Sequence, residues 1–256
     1  MFIGTLKNNK ETVDFGYKLV EVSEKKKLVG KVFNEVAENY DIMNDLSSFG
    51  LHRIWKNRAV NLMNLEIGEC VLDVATGTGD MAFSIAKKIG TSGSLIISDI
   101  NNKMLLNGRD KLLDLGINSF AVNCDAQSLP FKDSTFDKVS LAFGLRNITK
   151  REEALREINR VLKPEGKLVI LEFSKIIKSL EPIYDWYSFK VMPLIGEGVV
   201  GAKEAYQYLA ESIRKYPTPE EISNLILNAG FLTARFQTMS FGLVTIHQAI
   251  SEETSQ

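Results

Sequence analysis

The chain has 256 residues, 45% of them hydrophobic, which is enough for one large domain with a substantial buried core. Its 31 basic and 32 acidic residues leave a net charge of -1, so no overall field favours nucleic acid or an anionic membrane. We therefore expect no nucleic-acid partner.

Two further features bear on the cellular setting. No stretch reaches the roughly 18 apolar residues of a membrane span, and the first residues lack a signal-peptide core. Cys70 and Cys124 have neither zinc-site nor disulfide spacing, and we expect no metal site. These features predict a cytoplasmic protein and leave open a peripheral position at the inner face of the membrane.

The predicted elements begin with a polar, lysine-rich segment at 1–27, interpreted as a flexible N-terminal arm, and a helical cap at 28–66. From Cys70 onward, short apolar runs alternate with amphipathic segments, which is typical of parallel strands joined by helices. The runs predict strands at 70–75, 94–99, 119–124, 136–143 and 167–173. Thr149 and Glu152 have the spacing of a capping box at the start of a helix, which Pro164 would end.

The last third of the chain departs from this alternation. Residues 176–217 are rich in aromatic side chains and predict a helical lid inserted over the sheet. Thr218 and Glu221 predict a second capping box, and two strands without an intervening helix predict an antiparallel edge hairpin. The predicted fold is α/β and Rossmann-like. It is a single domain over 28–256 with a mostly parallel seven-stranded sheet and helices on both faces.

The sequence VLDVATGTGDMA, at 71–82, joins a predicted strand to a helix through a glycine-rich turn. Gly77 and Gly79 match the first glycines of a nucleotide-binding turn, in which the backbone approaches the ligand closely. Asp99 ends the next strand, where a carboxylate can accept hydrogen bonds from both hydroxyl groups of a ribose. The pattern alone does not separate NAD from S-adenosylmethionine.

Two acidic residues favour S-adenosylmethionine. Asp73 lies just before the turn, where a carboxylate would repel a pyrophosphate and attract a sulfonium or an ammonium group. Asp125 follows the third predicted strand, where it can accept a hydrogen bond from an adenine amino group. An NAD-linked oxidoreductase is the weaker alternative.

The segment 70–173 resembles class I S-adenosylmethionine-dependent methyltransferases. The sequences YDIMNDLSSFGLHRIWK (40–56), FGLRNI (143–148) and RVLKPEGKLVILEFSK (160–175) resemble, more closely, the ubiquinone/menaquinone biosynthesis C-methyltransferase family. This resemblance implies S-adenosylmethionine as methyl donor and a polyprenylated hydroquinone as acceptor. It also places donor-binding residues at Thr78, Asp99, Asp125 and Ala126.

Four residues are candidates for the chemistry. Arg146 and Asn147 follow the fourth strand of the predicted sheet, and Arg146 can stabilise a phenolate while Asn147 bonds the other ring oxygen. Tyr40 can stack on or hydrogen-bond the quinol, and Asp41 can take a proton. A structural ion pair is the alternative interpretation of Arg146.

Other interpretations stay open at this point. The chain could be a non-catalytic donor-binding scaffold of a quinone-biosynthesis assembly, or a methyltransferase for another small lipid. The lid aromatics are either packing residues or the lining of a channel for an isoprenoid tail. A homodimer and a transient contact with a membrane or with partner proteins are compatible with the sequence.

Overall fold

The structure, a computed structural model, describes residues 12–252, and a seven-stranded sheet lies at its centre. The strands are β3 (Cys70–Val74), β4 (Ser94–Asp99), β5 (Phe120–Asn123), β6 (Phe136–Ala142), β7 (Leu162–Phe173), β8 (Phe231–Met239) and β9 (Val244–Ser251). They lie in the order β5-β4-β3-β6-β7-β9-β8. The first five are parallel, and β9 pairs antiparallel with both β7 and β8. The predicted fold class and the edge hairpin are confirmed.

Helices cover both faces of the sheet. They are α1 (Val22–Val36), α2 (Tyr40–Ser48), α3 (Leu51–Leu62), α4 (Asp80–Ile89), α5 (Asn102–Asp114), α6 (Arg151–Val161), α7 (Glu181–Trp186), α8 (Met192–Val200), α9 (Lys203–Lys215) and α10 (Pro219–Asn228). Successive residues of β7 point to opposite faces. Val169 lies in a core with α3, α4 and α9, whereas Ile170 lies in a second core with α6 and α10. Burial of both faces explains the continuous apolar run of β7.

The N-terminal segment differs from the predicted flexible arm. Residues 1–11 lie outside the described part, but residues 12–27 form β1 (Thr12–Phe15), β2 (Lys18–Glu21) and the start of α1. This hairpin is anchored on α9, because the ring of Phe15 stacks on Tyr208 at 4.4 Å between centroids. The backbone N–H of Tyr17 also donates to Glu211 at 3.0 Å. Long-range contacts of this kind cannot be read from local composition.

The two predicted capping boxes have different outcomes. The hydroxyl of Thr218 accepts from the N–H of Glu221, and the Glu221 carboxylate accepts from the N–H of Thr218, so this box is confirmed. The prediction for Thr149 is wrong, because α6 begins at Arg151 after Lys150 and no side chain caps it. The N–H of Lys150 donates instead to the side chain of Gln127 at 2.9 Å.

Residues 176–217, the predicted lid, form α7, a π-helical segment at Tyr187–Val191, α8 and α9. Tyr206 on α9 is fully buried in the same core as β7, so α9 is a packed part of the domain. Over residues 12–252 the structure has no helix that is both long and apolar enough to cross a membrane.

Candidate active site

A cavity of about 370 Å³ opens at the carboxyl ends of β3, β4 and β6, beneath α1. Here the chain changes direction across the sheet, from β5 on one side of β3 to β6 on the other. Ligands of open α/β sheets bind at such switch points. The lining includes six residues predicted from sequence: Tyr40, Gly77, Asp99, Asp125, Ala126 and, from the turn after β6, Asn147.

The glycine turn forms one wall of this cavity. Gly77 has a left-handed backbone (φ 58°) and donates its N–H to the Asp99 carboxylate at 3.0 Å. Gly79 caps α4 and lies outside the lining. The turn packs on α5 at Gly108, where a Cβ would lie only 2.6 Å from the carbonyl oxygen of Gly77. Gly108 is therefore needed for the close approach of α5, a role that its place in the helix did not reveal.

The carboxyl groups of Asp99 and Asp125 line the cavity, and their pKa values are shifted in opposite directions. Burial raises the pKa of Asp99, against hydrogen bonds from the N–H groups of Asn101 and Gly77. Burial also acts to raise the pKa of Asp125, but Gln127 and the Lys26 ammonium donate to it and bring its pKa below the usual value. Lys26 lies on α1, so this 3.2 Å contact joins the helix to the cavity wall.

Asp73 is buried at the end of β3 and lines a smaller recess that shares Tyr40 and Gly77 with the main cavity. Its carboxylate accepts from the hydroxyls of Thr76 at 2.6 Å and Ser140 at 2.5 Å. Burial raises the pKa of Asp73 to about 6 despite these bonds. A cation bound nearby would therefore favour the ionised form.

A cluster of charged side chains lies beside this recess and involves two of the predicted site residues, Asp41 and Thr78. Asp41 accepts from the Thr78 hydroxyl at 2.7 Å and from Lys111 at 2.7 Å. Lys111 also donates to Asp80, which Lys56 contacts at 2.7 Å. Asp41 thus ties α2 to the glycine turn and lies outside the lining of the main cavity. Thr78 lines only the smaller recess.

Lys56 is a residue that the sequence interpretation missed. It is buried on α3, lines the smaller recess and lies 2.7 Å from Asp80. Although burial acts to raise it, the pKa of Asp80 lies well below its usual value because of Lys56 and Lys111. A signal was available: Lys56 follows the apolar Trp55 and lies one turn before Ala59, on the buried face of the helix.

Arg146 and Asn147 lie in a 3₁₀ turn (Leu145–Asn147) directly after β6. The Arg146 guanidinium is buried and donates to Glu172 on β7 at 2.7 Å and to the carbonyl of Phe143 at 2.6 Å. Burial acts to lower the pKa of Arg146, but the Glu172 carboxylate raises it above its ordinary value. Arg146 thus forms a structural ion pair, which was the alternative interpretation from the sequence. It does not itself line the cavity.

Asn147 does line the cavity, and its side-chain amide oxygen (Oδ1) accepts from the Tyr208 hydroxyl of α9 at 2.9 Å. Burial raises the pKa of Tyr40 to about 12, although the charge of Arg146 acts to lower it. Tyr40 is therefore a neutral hydrogen-bond donor near neutral pH. These groups place a hydroxyl and a side-chain amide in one cavity with the two acidic residues.

The backbone is strained at two adjoining strand ends. Ala75 after β3 and Phe143 after β6 have φ angles of 52° and 56°. A Cβ at Gly144 would lie 2.6 Å from that of Ala75, so only glycine fits between these turns. Left-handed backbone at residues other than glycine is uncommon and clusters at functional sites. Both residues line the cavity.

The fold and this arrangement define a class I S-adenosylmethionine-dependent methyltransferase. The model of the ubiE/COQ5 methyltransferase family matches residues 20–251, and the chain belongs to that family. The family assignment decides against the alternative of an NAD-linked oxidoreductase. The individual roles of the predicted site residues stay predictions.

Curated relatives match nearly the whole chain. The ubiquinone/menaquinone biosynthesis C-methyltransferase UbiE of Chromobacterium violaceum is 48% identical over 240 residues, which are 94% of this chain and 98% of that protein. The protein of the same name from Idiomarina loihiensis is 46% identical and covers 94% of this chain and 97% of its own length.

Solved structures support the fold. A SAM-dependent methyltransferase from Aquifex aeolicus has a TM-score of 0.58 and 18% identity, covering 82% of this chain and 97% of that structure. A possible histamine N-methyltransferase from Thermotoga maritima has a TM-score of 0.60 and 19% identity, covering 87% of this chain and 99% of that structure. At these identities the likeness concerns the fold alone.

Proposed function

We propose that this chain methylates a ring carbon of a polyprenylated hydroquinone with S-adenosylmethionine as donor. The acceptor is demethylmenaquinol, 2-methoxy-6-polyprenyl-1,4-benzoquinol, or both. The observation that carries the proposal is the single cavity in which Asp99 and Asp125 lie together with Tyr40 and Asn147. The relatives named for ubiquinone and menaquinone biosynthesis support the acceptor class.

The residues present fit the donor. A cavity of about 370 Å³ is within the range of small-molecule sites. Asp99 would accept from the ribose hydroxyls and Asp125 from the adenine amino group. Lys56, in the adjoining recess, would pair with the donor carboxylate, and Asp73 would face its positive charges. Thr78, Gly77, Gly79 and Ala126 would shape the wall between these groups.

The donor supplies an electrophilic methyl group, and a reduced ring supplies the carbon that attacks it. Tyr40 and Asn147 would hold the ring oxygens, which fixes the ring relative to the donor. The charge of Arg146 favours ionisation of Tyr40, so a quinol hydroxyl near that residue would feel the same field. Arg146 would thus act as an electrostatic stabiliser of phenolate character. The carbon–carbon bond forms as the methyl–sulfur bond breaks, which leaves S-adenosylhomocysteine, and the ring proton passes to water. Asp41 accepts from the Thr78 hydroxyl and holds it in this arrangement.

Transfer of a labelled methyl group tests the proposal. S-adenosylmethionine is offered with short-tail demethylmenaquinol and methoxy-benzoquinol, each in its reduced and oxidised form. We expect transfer only to reduced acceptors, because the quinone is an electrophile. Donor binding without transfer to any of these acceptors would instead indicate a scaffold or a methyltransferase for another lipid.

The variant Arg146→Ala tests whether Arg146 acts on the acceptor and not on donor binding. The substitution is expected to lower turnover with quinol while the affinity for donor stays the same. Wild-type turnover in this variant would contradict the assigned role. Arg146→Lys, which retains the positive charge but not the planar guanidinium, serves as the comparison.

A further inference from the structure

Two phenylalanines are exposed in an unfavourable backbone conformation. Phe49 ends α2 and Phe241 lies in the turn before β9, with φ angles of 51° and 56° and exposed fractions of 75% and 71%. Each is followed by a glycine, Gly50 or Gly242. Left-handed backbone favours Gly or Asn and disfavours an aromatic residue. Neither ring is stabilised by burial, so folding alone does not account for phenylalanine at these positions.

Contacts connect the two turns with the lid and α3. The ring of Phe49 lies 5.1 Å from that of Tyr187, which adjoins the exposed Trp186 at the end of α7. The carbonyl of Phe241 accepts from the N–H of Ile177, and Ser240 accepts from the indole of Trp55 on α3. Further exposed apolar side chains lie on these same elements: Leu51, Ile54, Ile177, Ile183 and Leu194. We call this set, with both phenylalanines and Trp186, the apolar face.

Three exposed lysines, without an ion pair to any described residue, lie on or next to the lid segments that carry this face. Lys175, Lys178 and Lys190 are exposed, and no carboxylate of residues 12–252 forms an ion pair with any of them. The nearby acidic residues Glu181 and Asp185 are both paired with Arg214. The apolar face is therefore bordered by ammonium groups, although the chain as a whole has a net charge of -1.

We propose that the apolar face docks on a bilayer that contains anionic phospholipid. The exposed rings and aliphatic side chains would enter the headgroup region, while the three lysines would contact lipid phosphates. A second copy of the chain fits less well. In a two-fold dimer the same patch meets itself, and the three lysines would face three lysines.

The docking proposal rests on the proposed function, since a polyprenylated acceptor resides in the bilayer and the enzyme must reach it there. The apolar face includes residues of the lid, and another lid element, α9, contacts Asn147 of the cavity through Tyr208. Docking would thus bring the lid side of the site against the membrane. The docking itself does not depend on which ring is methylated.

Vesicle flotation with the full chain tests this surface. Phosphatidylethanolamine vesicles containing phosphatidylglycerol are compared with neutral phosphatidylcholine vesicles. We expect binding to the anionic vesicles that weakens with salt, because each lysine contributes about fivefold to partitioning. The double variant Phe49→Asn with Phe241→Asn should lower partitioning by about tenfold or more.

Asparagine tolerates left-handed backbone, so this double variant should unfold at an unchanged or higher temperature. Phe120→Thr serves as the matched control, since Phe120 is an exposed phenylalanine at the opposite edge strand β5. Its partitioning should equal that of the wild type. Lys175→Gln with Lys178→Gln and Lys190→Gln should remove the preference for anionic vesicles.

Three outcomes would overturn the proposal: no binding to anionic vesicles, equal binding by the Asn double variant, or a stable dimer that this variant dissociates. Methyl transfer to a short-tail acceptor in solution is measured in parallel. Transfer without vesicle binding would refute the docking surface alone. Vesicle binding without transfer would refute the proposed function alone.

Discussion

At the scale of single residues, the buried carboxylate of Asp73 links donor binding to pH. Burial raises its pKa to about 6, so it is protonated below that value and ionised above it. A donor carrying a sulfonium and an ammonium group binds better to the ionised form. Affinity is therefore present above pH 6 and lost as the pH falls through it.

We predict that the dissociation constant for S-adenosylmethionine rises between pH 7 and pH 5, by at most about tenfold per pH unit below the pKa of Asp73. Titration calorimetry across this range measures the slope. Asp73→Asn should flatten it, whereas Asp137→Asn, at the far end of the neighbouring strand β6, should retain it. An unchanged slope in Asp73→Asn would assign the pH dependence to another group.

Lys56 leads to a second prediction at this scale. Its ammonium lines the recess beside the glycine turn and lies 2.7 Å from the Asp80 carboxylate. If it pairs with the donor carboxylate, Lys56→Met should weaken S-adenosylmethionine binding by about tenfold or more. Binding of methylthioadenosine, which lacks the amino-acid group, should change less than about threefold. An equal loss for both ligands would show a general disturbance of the site.

At the scale of elements, the 3₁₀ turn after β6 joins the sheet to the lid. Glu172 of β7 accepts from both the backbone and the guanidinium of Arg146, and Tyr208 of α9 donates to Asn147. The turn is thus held from two sides, by a strand and by a lid helix. Its position depends on both elements.

Removal of one side tests this arrangement. Tyr208→Phe keeps the ring that stacks on Phe15 but loses the hydroxyl that contacts Asn147. We expect the free energy of unfolding to fall by about 1 kcal/mol and turnover to fall while donor affinity is unchanged. Urea denaturation and steady-state kinetics measure the two effects. Tyr206→Phe, at another buried tyrosine of α9, is the control and should leave turnover intact.

At the scale of the whole molecule, α1 closes the donor cavity. Lys26 contacts Asp125 at 3.2 Å, Asn34 accepts from Asn101 at 2.9 Å, and Glu38, just beyond the helix, pairs with Lys103 at 3.0 Å. These contacts join the N-terminal region to the strand ends and to α5.

We predict that donor binding stabilises the entire domain and slows amide exchange in α1. At a donor concentration one hundred times its dissociation constant, the free energy of unfolding should rise by about 2.7 kcal/mol. Thermal unfolding and hydrogen exchange measure the two effects. NAD at the same concentration should have no effect, and stabilisation by NAD would contradict the donor assignment.

The sequence alone determined much of the sheet and several of the residues that meet in the main cavity. Alternating elements predicted a mostly parallel sheet with helices on both faces, and the glycine turn with Asp99 and Asp125 predicted residues that the structure brings to one cavity. These predictions succeed because the hydrophobic period, the turn-forming residues and the position at a strand end are local properties of the sequence. The prediction of a capping box at Thr149 failed because α6 begins two residues later, at Arg151, with Lys150 at the N-cap position and no side chain capping the helix.

Only the tertiary structure decided how these residues are used. The hairpin at 12–21 depends on α9, the placement of Asp41 depends on Lys111, and the burial of Lys56 depends on the packing of α3. The same holds for the ion pair of Arg146 with Glu172, which lies 26 residues away in the chain. Local patterns predict which element forms, whereas the partner of a charged side chain is set by which elements pack together.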